Sequence, residues 1–341
     1  MNLPRLGAAL LGCLLALTAC SSDPTPERRT PAPATRTATP KTAAPVAAAP
    51  PKAVHGGDCT TMPPPLGPAP AETFNTLPAP GPIKQVTAGS PAAALLKRDA
   101  LGWLARPGMK YTELGPIVLV GDVSDQVLQR SAADLRKSID VTTRVYGDAI
   151  PLEPRRLVLV PASARDFGRA ARDSPRGWLG FMQYSDQTTY IGIGPDTRSG
   201  SPYVGERPSS VMTHELMHLT TVSYAYSDMP AWLTEGYAEI AAEVQDPRVR
   251  QENDRTIRGA RLRIPDEDAL YGDEPGLPYA LSASFVRYLC SIKGSRQLGT
   301  FVRNVTNRAW QIDTFAKNTY GHTIDELVPG WKAWVARTNK R

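Results

Sequence analysis

Seventeen of the chain's 33 prolines fall between Pro24 and Pro91, and that concentration decides where a fold can form. Proline has no backbone N–H to give to a helix or a sheet ladder. The same stretch carries runs of Ala and Thr and almost no bulky aliphatic residues. It cannot bury enough apolar surface to offset the entropy lost on ordering, so residues 20–91 are expected to form a disordered tether. Residues 92–341 are mixed in composition and long enough for one sizeable core.

Ahead of the tether, Arg5 precedes a nearly unbroken apolar run from Leu6 to Ala19. A bilayer span needs about 20 apolar residues, so this run has instead the length of a signal-peptide core over residues 1–19. It closes on Leu17-Thr18-Ala19-Cys20, followed by Ser21-Ser22, which resembles the lipobox of bacterial lipoproteins. The resemblance implies cleavage before Cys20 and a lipid on that cysteine. The folded domain would then stand off the extracytoplasmic side of a bacterial cell membrane on its tether. Export also puts the chain in an oxidising space. With Cys13 in the signal and Cys20 lipidated, Cys59 and Cys290 remain. Either they pair, pinning the end of the tether to the domain, or Cys290 is a buried thiol in a helix.

The net charge is +6, and several basic residues (Arg28, Arg29, Arg36, Lys41, Lys52) lie in the tether. They favour an anionic surface or are simply solvated. No Lys/Arg stripe with interleaved aromatics is present, which argues against nucleic-acid binding. The sequence carries no signature of an oligomeric state.

Within the folded part, Ala93 to Leu104 reads as a helix. Ile117-Val118-Leu119-Val120 and Leu157-Val158-Leu159-Val160 are short apolar runs bounded by Gly or Pro, the pattern of buried strands. Between them Leu128, Ala132, Leu135 and Ile139 recur at helical spacing after Asp122 and Ser124, which can cap. Phe181 to Tyr184 and Thr188 to Ile193 read as the two arms of a hairpin. After Gly200 the pattern turns helical: Val211 to Val222, Pro230 to Val244, a helix around Leu281 to Ile292, Phe301 to Asn307, and Ile324 to Arg337. A small mixed sheet followed by a helical half is an α+β fold.

The segment with chemical content is His214-Glu215-Leu216-Met217-His218. Four residues are slightly more than one helical turn, so both imidazoles leave one face, about 6 Å apart along the axis. They can bind one Zn²⁺ with bonds of about 2.0–2.1 Å. Glu215 is placed to reach a water on the metal rather than the metal. Only four histidines occur in the chain, and two of them fall in this arrangement. A third histidine soon after the second is excluded, because Thr221 and Tyr224 stand there. The other solution is a Glu from the next helix, giving a His₂Glu site. The short connection from Ser223 to Met229 makes the helices neighbours, so Glu235 can face the two imidazoles.

The His214–His218 motif, followed by Trp232-Leu233-Thr234-Glu235-Gly236-Tyr237-Ala238-Glu239, resembles the gluzincin metallopeptidases, in particular the minimal peptidase MA-like domains of secreted bacterial proteins. The two-part motif covers residues 211–241, and a compatible pattern extends over about 110–337. The resemblance implies a zincin-like fold over 92–341, Glu235 as third metal ligand and Glu239 orienting His214. It implies a zinc peptidase acting on a peptide or protein substrate, with Glu215 as general base. It also implies a downstream Tyr as oxyanion donor, for which Tyr279 fits better than Tyr237 or His322. Finally, it implies an edge strand that pairs with substrate backbone, assigned to Tyr190, Ile191, Gly192 and Ile193. The competing expectations are a non-catalytic zinc-binding module and a structural envelope lipoprotein.

Overall fold

The computed structural model describes residues 78–146, 156–160, 164–170, 180–185, 188–193, 208–222, 229–271, 276–306 and 308–338. The signal segment, Cys20, His55 and Cys59 lie outside the described residues, as do 223–228 between the two motif helices.

Six strands form one sheet: β1 Lys84–Gln85, β2 Lys110–Leu114, β3 Ile117–Gly121, β4 Arg156–Val160, β5 Gly180–Ser185 and β6 Thr188–Ile193. Their order is β1-β2-β3-β4-β6-β5. β3 pairs parallel with β4, and β4 parallel with β6, while the outer pairings are antiparallel. The sheet is therefore mixed, as the sequence predicts.

The two apolar runs are continuous because the sheet is covered on both faces. Side chains alternate along a strand. Ile117, Leu119, Val158 and Val160 face one cluster with Leu128, Ala132, Leu135, Met212 and Leu216. Val118, Val120, Leu157 and Leu159 face another with Leu95, Leu96, Leu104 and Phe167. The first cluster is closed by α2 (Asp125–Tyr146) and α4 (Pro208–Val222). The second is closed by α1 (Pro91–Arg98) and α3 (Ala164–Ala170).

Two expectations need correcting. The fold begins before Ala92. Lys84 and Gln85 pair with Tyr111 and Lys110, and the Thr112 hydroxyl donates to the Gly81 carbonyl at 2.7 Å. Pro82 thus lies against the sheet edge, where a missing N–H costs no ladder bond. The helix expected to run through Leu104 stops at Arg98. Asp99 ends it, Ala100 takes a positive φ of 57°, and a 3₁₀ turn follows over Gly102–Leu104. At its start Ser90 accepts from the Ala93 N–H, and Pro91 occupies the first helical position.

The helical half comprises α5 (Ala231–Gln245), α6 (Pro247–Thr256), α7 (Glu267–Leu270), α8 (Gly276–Lys293), α9 (Ser295–Thr306), α10 (Ile312–Tyr320) and α11 (Ile324–Thr338). Its centre is α8, where twelve residues, including Phe285, Tyr288 and Leu289, are buried. A helix this apolar on every side belongs inside a bundle. Gly236 lets α5 lie directly on it: a Cβ there would meet the Ser282 carbonyl oxygen at 2.6 Å. The Trp331 indole N–H donates to the Ser284 hydroxyl at 3.0 Å, tying α11 to α8. Among the described residues no helix is long and apolar enough to cross a membrane.

Candidate metal centre

The helix α4 joins the two halves. Met212 and Leu216 pack into the sheet-side core, and Met217 into the helical core. Its N-terminal turn is pinned by two hydroxyls: Thr213 and Ser138 both donate to the Ser209 carbonyl, at 2.7 and 3.0 Å. With both apolar flanks occupied, the remaining face presents His214, Glu215 and His218, all buried. Helix α5 packs alongside and contributes Glu235, also buried.

These residues converge. The Glu235 carboxylate oxygen Oε2 lies 3.1 Å from His214 Nε2 and 3.4 Å from His218 Nε2. One donor atom from each of His214, His218 and Glu235 lies within 4.8 Å of the others. Ligands held about 2.0–2.1 Å from a tetrahedral centre are about 3.3–3.4 Å from one another. The two spacings from Glu235 Oε2 lie close to that edge, and the three donors are near enough together for the buried His-His-Glu group to hold a metal ion. On its far side, His214 Nδ1 lies 3.4 Å from Glu239 Oε2, so each ring nitrogen of His214 has a carboxylate.

Electrostatics follow from this crowding. Burial works against the charged form of Glu235, but His218 and His214 hold its carboxyl well below the usual carboxylate range. Burial likewise opposes a charge on His214, yet the bonds to Glu235 and Glu239 outweigh it and raise the imidazole well above its ordinary value. For Glu215, burial pushes the carboxyl up, and the two imidazoles offset this only in part. Between Glu215 and Glu235, Glu215 is thus the carboxylate readier to accept a proton.

Two tyrosines border the site. Tyr279, on the first turn of α8, stacks on His214 with ring centroids 5.7 Å apart and planes inclined by 29°. Tyr271 closes α7 and donates its hydroxyl to Glu235 Oε1 at 2.9 Å. Burial and the nearby carboxylates push both phenols far above their ordinary value, so both remain donors. The sequence offered no sign of Tyr271, which follows a four-residue helix after an irregular stretch. Of the other candidates, Tyr237 is buried in the core with its hydroxyl bonded to the Val145 carbonyl at 3.2 Å. His322 lies in the turn between α10 and α11, beside Gly321 with its positive φ of 82°.

The assignment of an exposed strand edge to Tyr190, Ile191, Gly192 and Ile193 is corrected by the topology. β6 is enclosed. Tyr190, Ile191 and Gly192 pair with Leu157, Val158 and Leu159 on one side, and β5 lines the other from Ser185 to Gly180. The hairpin folds with its first arm outward, so β5 is the edge strand among the described residues. β5 also runs against the motif helix. A Cβ on Gly180 would lie 2.7 Å from Val211 Cγ1 and 2.8 and 2.9 Å from Glu215 Oε1 and Cγ. Only a residue without a side chain lets the strand backbone come this close to Glu215.

One turn beyond Glu239, α5 buries a second polar group. Asn253 donates to Glu243 Oε1 at 2.9 Å, and Arg287 Nε lies 3.5 Å from Glu243 Oε2. Arg287 also donates to Asp254 at 2.7 Å. Burial raises the Glu243 carboxyl despite Arg287 and Asn253. Elsewhere in α8, Cys290 is disulfide-bonded, and the chain's other cysteines lie outside the described residues.

Comparison with known proteins returns no match: no family model, no curated protein and no solved structure is significantly similar to the chain.

Proposed function

We propose that this chain is a zinc-dependent peptidase of the gluzincin type, with a zincin-like fold over its folded part. The observation that carries the reading is the pair of spacings from Glu235 Oε2 to the two Nε2 atoms, 3.1 and 3.4 Å, with Glu215 buried on the same helix. The donor set, two imidazoles and a carboxylate, is the one zinc hydrolases use while leaving a position open for water.

When bound there, zinc lowers the pKa of a coordinated water from 15.7 to about 7 and polarises a carbonyl oxygen. The chain's own groups do the rest. Glu215 takes the proton from the attacking water at its carboxylate and returns it to the departing amine. His214 is oriented by Glu239 from behind, which keeps Nε2 facing the metal position. Tyr279 stacks on His214 and is the phenol assigned to donate to the negative charge that develops on the reacting carbonyl. The β5 edge, which comes against Glu215 at Gly180 and has no strand on its outer side among the described residues, would take an extended peptide substrate. Lipid on Cys20 holds the enzyme at the outer side of a bacterial cell membrane, and a Cys59–Cys290 disulfide pins the tether to the domain.

Metal analysis by mass spectrometry on the purified mature chain tests the site. Wild type is expected to carry near-stoichiometric zinc, and Glu235→Ala much less. Glu215→Gln is expected to keep its zinc and lose nearly all hydrolysis of a mixed peptide library. A folded wild type that takes up no zinc when supplied with it refutes the metal site. A zinc-loaded Glu215→Gln that cleaves at the wild-type rate refutes the mechanism.

A further inference from the structure

The two oxygens of Glu235 are not equivalent. Oε2 faces both imidazoles, at 3.1 and 3.4 Å. Oε1 receives the Tyr271 hydroxyl at 2.9 Å. A carboxylate offers a metal one oxygen or both, and a second oxygen would fill the position a water needs. We infer that Tyr271 is a positioning residue that occupies Glu235 Oε1, so that the carboxylate offers the metal a single oxygen and one coordination position stays open. The inference rests on the metal-site reading above and adds the residue that sets how Glu235 is presented.

The local architecture suits this task. Tyr271 follows directly on Leu270, which is fully buried in the helical core. Asp266 caps the short helix by accepting from the Ala269 N–H at 2.9 Å, and the Tyr271 N–H donates to the Glu267 carbonyl at 3.0 Å. The phenol is therefore delivered from an anchored backbone, and its ring packs against the helical core. The bond joins a neutral donor to a buried carboxylate, the class of hydrogen bond whose loss leaves a charged oxygen unsatisfied. Among the described residues no other side chain bonds Glu235 Oε1, and Glu239 bonds the imidazole of His214.

Tyr271→Phe removes the hydroxyl and keeps the ring. In the mature full chain, zinc affinity measured by competition with a chromogenic chelator is expected to fall about 10–100-fold, the usual effect of deleting a partner behind a ligand. With cobalt in place of zinc, the strong visible bands of four-coordinate wild type are expected to weaken in the variant, as the freed oxygen raises the coordination number. The metal-free variant loses a bond to a buried carboxylate and is expected to melt a few degrees below wild type, so the distinction from a purely structural role is carried by the cobalt spectrum, which such a role would not move. Unchanged affinity together with an unchanged cobalt spectrum overturns the inference. A fall in affinity with an unchanged spectrum overturns the single-oxygen assignment. A wild type that binds neither metal overturns the underlying site and the inference with it.

Discussion

Gly236→Ala sets two forces in opposition. Replacing a mid-helix glycine by alanine stabilises an exposed helix by about 0.8–1 kcal/mol. Position 236 is not exposed. The new Cβ would sit 2.6 Å from the Ser282 carbonyl oxygen, 2.7 Å from its carbon and 2.8 Å from Val286 Cγ2. Ordinary contact begins near 3.4 Å, so α5 and α8 must part by 3.4 − 2.6 = 0.8 Å. The main obstacle is backbone in the middle of a buried helix, which cannot swing aside as a side-chain tip can.

Overpacking of a well-filled core costs about 1–3 kcal/mol, and a backbone clash belongs at the upper end. After subtracting the propensity gain, the net loss is about 1–2 kcal/mol. For a domain of this size each kcal/mol moves the midpoint by about 2–4 °C, so Tm should drop by about 2–8 °C. The assay is thermal unfolding of the metal-free chain followed by circular dichroism. Gly102→Ala is the control, because a Cβ there meets nothing within 4 Å. A Tm for Gly236→Ala equal to or above wild type would refute the close α5–α8 contact. Because Glu235 precedes Gly236, that contact also sets where the third ligand stands.

If the proposed peptidase reading holds, Gly180→Ala should keep its zinc while peptide hydrolysis falls by about 10²-fold, since displacing a base by about 1 Å is enough for that loss; the comparison of metal content with turnover checks it. Arg287→Met leaves Glu243 buried without its cation and should cost about 3–5 kcal/mol at neutral pH. The Glu243 carboxyl is already raised in the fold, so the native state binds its proton more tightly than the unfolded chain does. The penalty is therefore full above the folded value and shrinks as pH falls through it, which urea melts from neutral to mildly acidic pH would register; a pH-independent penalty would contradict this. A non-reducing peptide map should recover Cys59 joined to Cys290, and free thiols at both would end that pairing.

The sequence made the motif helices legible for a geometric reason. The spacing His214 to His218 fixes a shared face whatever the tertiary structure, and the short loop to α5 leaves Glu235 few places to go. The continuous runs of β3 and β4 were equally clear, because a sheet covered on both faces needs no alternation. What depends on tertiary contact was hidden. Lys84–Gln85 pairs within a proline-rich stretch, and Lys110–Leu114 is too short for its alternation to stand out. α6 has Asn253 as its one buried residue, so no apolar period marks it. Which hairpin arm joins the sheet is decided by pairing with β4, and nothing in the alternation of either arm tells β6 from β5 as the edge. Tyr271 reaches Glu235 across 36 positions of chain, a distance over which sequence spacing carries no directional information.

The site is costly to the fold, and the cost has a direction. α4 and α5 are apolar helices that pack well on their neighbours, yet each turns carboxylates or imidazoles inward. Burying unpaired charge is strongly unfavourable, and two imidazoles do not neutralise Glu215, Glu235 and Glu239 together. The metal-free fold responds by holding His214 towards its protonated form and by raising Glu215, both of which reduce net negative charge. A divalent cation held by His214, His218 and Glu235 would supply the missing positive charge. Apolar residues of similar size would pack these helices without that penalty. Retaining the charges, with Tyr271 and Glu239 bonded behind the ligands, makes sense as preparation for such an ion rather than as a means of holding α4 to α5.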